Sequence, residues 1–278
     1  MLAITDLSTL APARMQRAHG QASVAFHARD SHTRLDRLFQ EGCAKLRFPR
    51  PLGNDAPQAI LINTAGGLTG GDRFGTEVKL AAGAEACVTT QACERVYRST
   101  GADAVVANRL QLSAGARLAW LPQETILFDG GRLSRSLDVD LAGDAELVAV
   151  EAVLFGRQAM GETLHSGHLH DRWRIRRDGR LIFADDLRVE GDIAARLAPQ
   201  PAMVGCRAVA TVLFVGATPE RFLDQARAII GQGGGASAWN GKFLARLVEE
   251  TGLALRQRLE PLLALLLGGQ PLPKVWQL

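Results

Sequence analysis

Tyrosine is almost missing from this chain: one residue in 278, with aromatics making up only 5%. Cysteine is scarce as well. Cys43, Cys87, Cys93 and Cys206 contain no CxxC pair, which excludes a zinc ribbon and leaves no basis for a disulfide framework. They read as reduced, mostly buried thiols. No apolar run approaches the roughly 20 residues needed to cross a bilayer; the longest, at 262–267, is a short leucine stretch. The first twenty residues carry Asp6 in their only apolar part and lack the basic and apolar regions of a secretory leader. A soluble cytoplasmic protein without a membrane partner is expected. An excess of one charge is lacking too, since 32 Lys and Arg are interspersed with 29 Asp and Glu for a net charge of +3. That balance argues against a nucleic-acid partner.

Catalytic and cofactor signatures fail together. There is no GxxxxGK[ST] or GxGxxG to cradle a phosphate, no GxSxG elbow, no HExxH, and no cysteine-protease pattern. Enzyme becomes the minority reading, with a hydrolase of unfamiliar site as its remaining form. The glycine-rich stretch GGLTGGDRF at 66–74 has no lysine to reach a phosphate, and its Asp72 follows the glycines too directly for a calcium repeat. Two readings stay open: a tight turn with glycines at positive φ, or a loop that exposes Asp72 at an opening or interface.

The chain does contain an internal repeat. VKLAAGAEACVTTQ, LQLSAGARLAWLPQ and DVDLAGDAELVAVE each place a glycine eight residues before a final polar side chain, so that Gly83, Gly115 and Gly143 precede Gln91, Gln123 and Glu151. Before each glycine the apolar residues alternate, as in a strand with one buried face; after it comes an apolar run such as 118–121 or 147–150, as in a strand buried on both. Each unit is therefore strand, small turn, strand. A looser fourth copy, WRIRRDGRLIFADD, carries the Asp178-Gly179 hairpin signal. With short strands at 21–30 and 59–63, the expected fold is mainly β, in stacked or sandwiched sheets built from repeated strand-turn-strand units.

From residue 217 the pattern turns helical. Thr218 is placed to cap, Pro219 to open a helix, and Phe222, Leu223, Ala226, Ile229 and Ile230 to line one face before Gly231. QGGGASAWNG reads as a flexible loop, GKFLARLVEE as a return strand, and the leucine-rich segment at 253–267 as a second helix, kinked or opened by Pro261. One unit over 1–278 is expected, with the β scaffold over about 20–215 and the helices over about 217–278. An exposed leucine-rich segment there would favour aggregation without partners.

Two groups of polar residues invite chemistry. His165, His168 and His170 have metal-ligand spacing, and the last two share a face if the segment is a strand; a solvated, His-rich hairpin edge is the other reading. Gln91, Gln123 and Glu151 would occupy related positions in stacked units, either lining a wet internal channel or capping turns.

Taken together, AGGLTGGD at 65–72, TTQACERVYRS at 89–99, LPQETILF at 121–128 and EAVLFGRQAMGE at 151–162 resemble the urease accessory protein UreD (UreH) family, with weaker matches in RRDGRLIF at 176–183 and PLPKVW at 271–276. They run in the family's order over most of the chain. Departures are minor: Ala65 stands where the family usually has proline, Arg95 where it commonly has lysine, and 129–131 is a looser ending. The resemblance implies a mostly β scaffold with a few C-terminal helices and no catalysis. It implies a nickel-insertion chaperone that binds the urease structural subunits and the accessory protein UreF while the GTPase UreG delivers the metal. It makes Asp72, Glu151 and Glu162, with Gln91 and Gln123, candidates for a transit path of the nickel ion. Spaced carboxylates hold a cation weakly enough to release it, whereas a His cluster would store it. The alternative is a storage or sensor protein that binds metal through His165, His168 and His170.

Overall fold

The computed structural model of the chain describes residues 16–30, 32–50, 56–157, 160–198 and 205–277. Among these, two sheets face each other and helices cover the outer side of the second. The first sheet has seven strands in the order β14 (Arg180–Gly191), β13 (Gly167–Arg177), β11 (Arg132–Leu141), β8 (Ala104–Leu112), β5 (Arg73–Leu80), β1 (His19–Arg29) and β2 (His32–Gly42). The second runs β16 (Gly234–Trp239), β17 (Lys242–Glu249), β15 (Ala208–Val215), β12 (Glu146–Phe155), β9 (Arg117–Leu121), β6 (Glu85–Thr90), β4 (Gln58–Asn63) and β3 (Ala44–Arg47), with the short strands β7 (Glu94–Val96) and β10 (Thr125–Leu127) at its side. The mainly β expectation holds.

The repeat unit is a coil. Its first strand lies in one sheet and its second in the other, so β5, β8 and β11 are parallel neighbours in the first sheet, and β6, β9 and β12 in the second. Gly83, Gly115 and Gly143 make the crossings at φ of +68°, +69° and +53°, where a Cβ would be strained. The turns stack: Gly83 N–H donates to the carbonyl of Ala114, and Gly115 and Gly143 N–H donate to the carboxylates of Asp144 and Asp178.

The double burial of the second strands has a simple cause. In β9, Leu118 and Trp120 point between the sheets while Ala119 and Leu121 point to the helices; in β12, Leu147, Ala149 and Val153 point inward while Val148, Val150 and Ala152 point outward. Each fully buried Val or Leu contributes roughly 1.5–3 kcal/mol, so both cores depend on this one sheet.

Several local expectations need correction. WRIRRDGRLIFADD forms the hairpin that its Asp178-Gly179 signal announced, turning at Asp178 (φ +50°) and Gly179 (φ +78°), but unlike the three coils it keeps both strands, β13 and β14, in the first sheet. The glycine-rich stretch read as a loop contains β16, which pairs with β17 through Asn240 (φ +45°) and Gly241 (φ +72°). Its Asn-Gly hairpin signal outweighs the glycines that precede it. Thr218 makes no side-chain cap; a 3-10 turn over Pro219–Phe222 leads instead into α2 (Leu223–Ile230), whose Ala226 and Ile230 are buried beside Phe222. A short helix, α1 (Ile193–Leu197), precedes β15, and α3 (Gly252–Leu266) is capped by Thr251. Pro261 sits inside α3 on its exposed side, neither opening nor ending it. The leucine-rich segment is not an exposed surface, since Leu255, Leu259, Leu262, Leu263 and Leu266 are all buried against the second sheet. Cys43, Cys87, Cys93 and Cys206 are free thiols, each partly buried. No helix among the described residues is long and apolar enough to cross a membrane.

Candidate functional site

β4, β6, β9 and β12 run parallel, so their C-terminal ends lie along one edge of the second sheet. The four strong sequence motifs are the four successive exits from those strands. Leu68, Val96, Leu127 and Phe155 form a buried stack beneath the exits, tied by the β7–β10 and β10–β12 ladders and the Leu68–Val96 bridge.

In the first exit, Asp72 is buried and fully occupied. One carboxylate oxygen accepts the N–H of Ala18 and the other that of Thr69, both at 2.8 Å. The carboxylate closes the glycine loop on itself and holds the residue that leads into β1. Gly70 explains why the loop cannot carry side chains: a Cβ there would stand 2.3 Å from the Ala102 carbonyl oxygen. Gly70→Ala is therefore expected to cost about 1–3 kcal/mol through overpacking, read as a lowered denaturant midpoint; an unchanged midpoint would mean that the loops separate freely.

Behind the exits, between the sheets, lies a cavity of about 190 Å³ lined by Gln91, Gln123 and Glu151 together with Glu94, Arg135 and Trp120. The three repeat-ending residues thus meet in one place, as stacked units require. Glu151 is in the inward phase of β12. Its carboxylate accepts from the indole N–H of Trp120 at 3.2 Å and contacts Arg135 Nη1 at 2.5 Å. Arg135 also donates through Nε and Nη2 to both oxygens of Asp171, at 3.1 and 2.6 Å, and through Nη1 to Thr125 Oγ1. One guanidinium is shared by two buried carboxylates. Burial pushes Glu151 up to about 7; Arg135 opposes the rise and Asp171 adds to it. Glu94, accepting from Asn63 and from the Arg95 N–H, is also raised by burial.

Arg135, Asp171 and Glu94 escaped the sequence reading. The first two carried a signal, because each interrupts the apolar phase of its strand: Arg135 between Leu133 and Leu137, Asp171 between Leu169 and Trp173. A charge in the buried phase demands a buried partner.

Glu162 lies elsewhere, in the fourth exit. Its carboxylate accepts the backbone N–H and both Nε and Nη2 of Arg157, and the N–H of Asp129. The Arg157 hydrogen bonds hold it below the usual carboxylate range. Arg157 stacks on Phe128, which meets Tyr97 edge-on at 5.1 Å, and Arg98 pairs with Asp129. The structure therefore brings Gln91, Gln123 and Glu151 together, and leaves Asp72 and Glu162 as staples of the rim loops.

The description "UreD urease accessory protein" matches residues 18–277 of this chain. Over 267 residues it is 49% identical to "Urease accessory protein UreD" of Agrobacterium fabrum, covering 96% of this chain and 94% of that one. The protein of that name from Rhizobium rhizogenes is also 49% identical, over 96% of this chain and 98% of the relative; for "Urease accessory protein UreD 1" of Brucella anthropi the identity is 49%, with coverage of 98% and 99%. The chain belongs to the UreD family.

In this UreD-family chain Gln123 joins the cavity wall to the C-terminal strap. Its Nε2 donates to the carbonyls of Gln91 at 3.0 Å and Val275 at 3.1 Å, and its Oε1 accepts from Arg256. Arg256 pairs with Glu124; burial raises that carboxyl, but the Arg256 hydrogen bonds outweigh it and hold it below its usual range. Trp276 is buried, its indole N–H donating to Thr89 Oγ1 and the Leu121 carbonyl.

The histidines follow a different geometry. His168 and His170 do share the outer face of β13, yet each turns to its own carboxylate. His170 Nε2 lies 2.8 Å from Asp186, and His168, itself buried, has Asp103 at 3.6 Å and Glu190 at 3.7 Å on opposite sides of its ring. His165 is exposed in the preceding loop. Among the described residues no three His, Cys, Asp or Glu side chains are grouped so as to hold a metal ion.

Proposed function

We propose that this UreD-family accessory protein is a nickel-insertion scaffold, binding the urease apoprotein and the accessory proteins UreF and UreG, and that the cavity beside Glu151 forms part of the passage for nickel. The observation that carries this reading is the convergence of Gln91 and Glu151, with Glu94, on one cavity that runs from an exposed rim at Gln91 to the buried Glu151. Fixed amide and carboxylate oxygens there replace part of a divalent cation's hydration shell. When Glu151 is ionised, it and Asp171 together outweigh the charge of Arg135, so the cluster as a whole attracts the cation. With few ligands at any point, residence is short, as transit requires.

The proton and the metal compete for Glu151. As pH falls through about 7 the carboxyl becomes neutral and attracts a cation weakly; as pH rises it ionises, held by Arg135 and Trp120. Urease activation by the intact accessory complex is therefore expected to weaken as pH falls from 8 to 6, and Glu151→Gln to remove that slope while lowering activation at pH 8 several-fold. Co-purification of the variant with urease subunits separates transport from assembly. Full activation by Glu151→Gln with an unchanged slope sinks the passage through this cavity; loss of the complex would move Glu151 to folding or interface.

A further inference from the structure

β2 forms the outer edge of the first sheet, and among the described residues it pairs on one side only, with β1. An edge of eleven residues is a template for another strand. Its large apolar side chains are the unusual part. Leu35 stands opposite Phe26 and Leu38 opposite Val24, so both lie on the face that buries β1 in the core. They nevertheless remain 42% and 43% exposed, while Phe39, opposite Ser23 on the other face, is 52% exposed. Among the described residues the core face of β2 is met only near its ends, where Thr33 Oγ1 accepts the N–H of Glu85 and Gln40 Oε1 that of Leu46; Leu35 and Leu38 between them stay open.

The sequence of β2 is self-complementary about its bulge. The register skips at Asp36, so that Leu35 pairs with Phe26 and Arg37 with Ala25. In a regular strand Leu35 and Leu38, three apart, would point to opposite faces; the bulge returns them to the same one. A two-fold axis normal to the sheet and through the bulge then sets Leu35 against Leu38 of a second copy, and Leu38 against its Leu35. Thr33 meets Gln40 on the same core-side face. On the outer face Arg34 meets Phe39, His32 meets Glu41, and Asp36 with Arg37 confronts Arg37 with Asp36. Each pair of side chains shares a face, as antiparallel neighbours must. In this register Asp36 and Arg37 at the bulge each meet the opposite charge, and Arg34 lies beside the Phe39 ring.

From this we infer that β2 is a self-association edge, through which two copies of the chain join their first sheets antiparallel and close a strip of four leucines. Its test is cysteine cross-linking in cells that produce two differently tagged copies of the full chain. Under a mild oxidant, Leu35→Cys/Leu38→Cys is expected to give a disulfide-linked adduct carrying both tags, at least five-fold above either single variant, in which cysteine faces leucine. Thr33→Cys/Gln40→Cys is expected to behave alike, so misfolding of one double variant does not decide the matter. Adding Arg37→Asp should weaken the adduct, and Asp36→Arg/Arg37→Asp should restore it. No adduct with both tags in either double variant, equal yields in single and double variants, or linkage instead to a protein of another mass would overturn the inference; the last would give the edge to a different strand.

Discussion

Arg135→Met is expected to lower the stability of the protein by about 3–5 kcal/mol, the cost of leaving buried carboxylates without their cation. For a domain of this size that is a fall in Tm on the order of 10 °C, measurable by thermal unfolding followed by circular dichroism. Arg135 is 5% exposed in its side chain, and the side chains of Glu151 and Asp171 are 2% and 8% exposed, so solvent screens their charges little. The triple variant Arg135→Met/Glu151→Gln/Asp171→Asn removes all three charges and should recover most of the loss. A parent-like Tm for Arg135→Met alone would show that the cluster does not hold the sheets together. The same cluster sets a pH dependence with a definite sign. Glu151 is raised from 4.5 to about 7, so the folded state binds its proton more tightly than the unfolded chain does. Its contribution to stability is fully present below pH 4.5 and is lost as pH rises through 7. Glu151→Gln should flatten that slope in denaturant titrations between pH 5 and 8.

Trp276→Ala is expected to cost about 3–5 kcal/mol, the range for emptying a buried indole site. The ring is 1% exposed, lies under the Arg256 guanidinium at 5.2 Å, and holds Thr89 and Leu121 from beneath. Trp276→Phe keeps most of the packing but loses both hydrogen bonds, and should cost about 1–2 kcal/mol. Guanidinium melts give both values. Limited proteolysis adds a local readout, since release of the strap should open cleavage near 267–277 in Trp276→Ala well before global unfolding. Protection equal to the parent would mean that Gln123 and Arg256 hold the strap without the indole.

Much of this fold can be read from the chain because its turns are chemically fixed. A glycine at positive φ in a constant place between an alternating strand and an apolar one admits few interpretations, and Gly83, Gly115 and Gly143 marked three coils. What could not be read was pairing across distance. The Asp178-Gly179 signal in WRIRRDGRLIFADD marks a hairpin but not the sheet that holds it, and nothing before residue 234 announces that the glycines join a strand. The site divides in the same way. Gln91, Gln123 and Glu151 were placed together by periodicity, which is a local property. Asp72 and Glu162 came from motifs, and motifs record importance without direction; each turns out to bind one backbone amide of its own loop and one of a neighbouring segment. Arg135 and Asp171 were visible as charges in an apolar phase. Their partnership, across neighbouring strands β11 and β13, became evident only once the sheet order was known.

The strap has a consequence for synthesis. The hydrogen bond from Trp276 to Thr89 spans 187 residues of chain. At the usual 5–20 residues per second, β6 and β9 wait about 10–40 s after Thr89 is made before the residue that covers them exists. During that interval the coils can assemble, but the floor beneath Thr89 and Leu121 stays open. A nascent chain of this kind is therefore most vulnerable late in translation, and slowing the ribosome after residue 250 should raise its aggregation more than slowing it earlier.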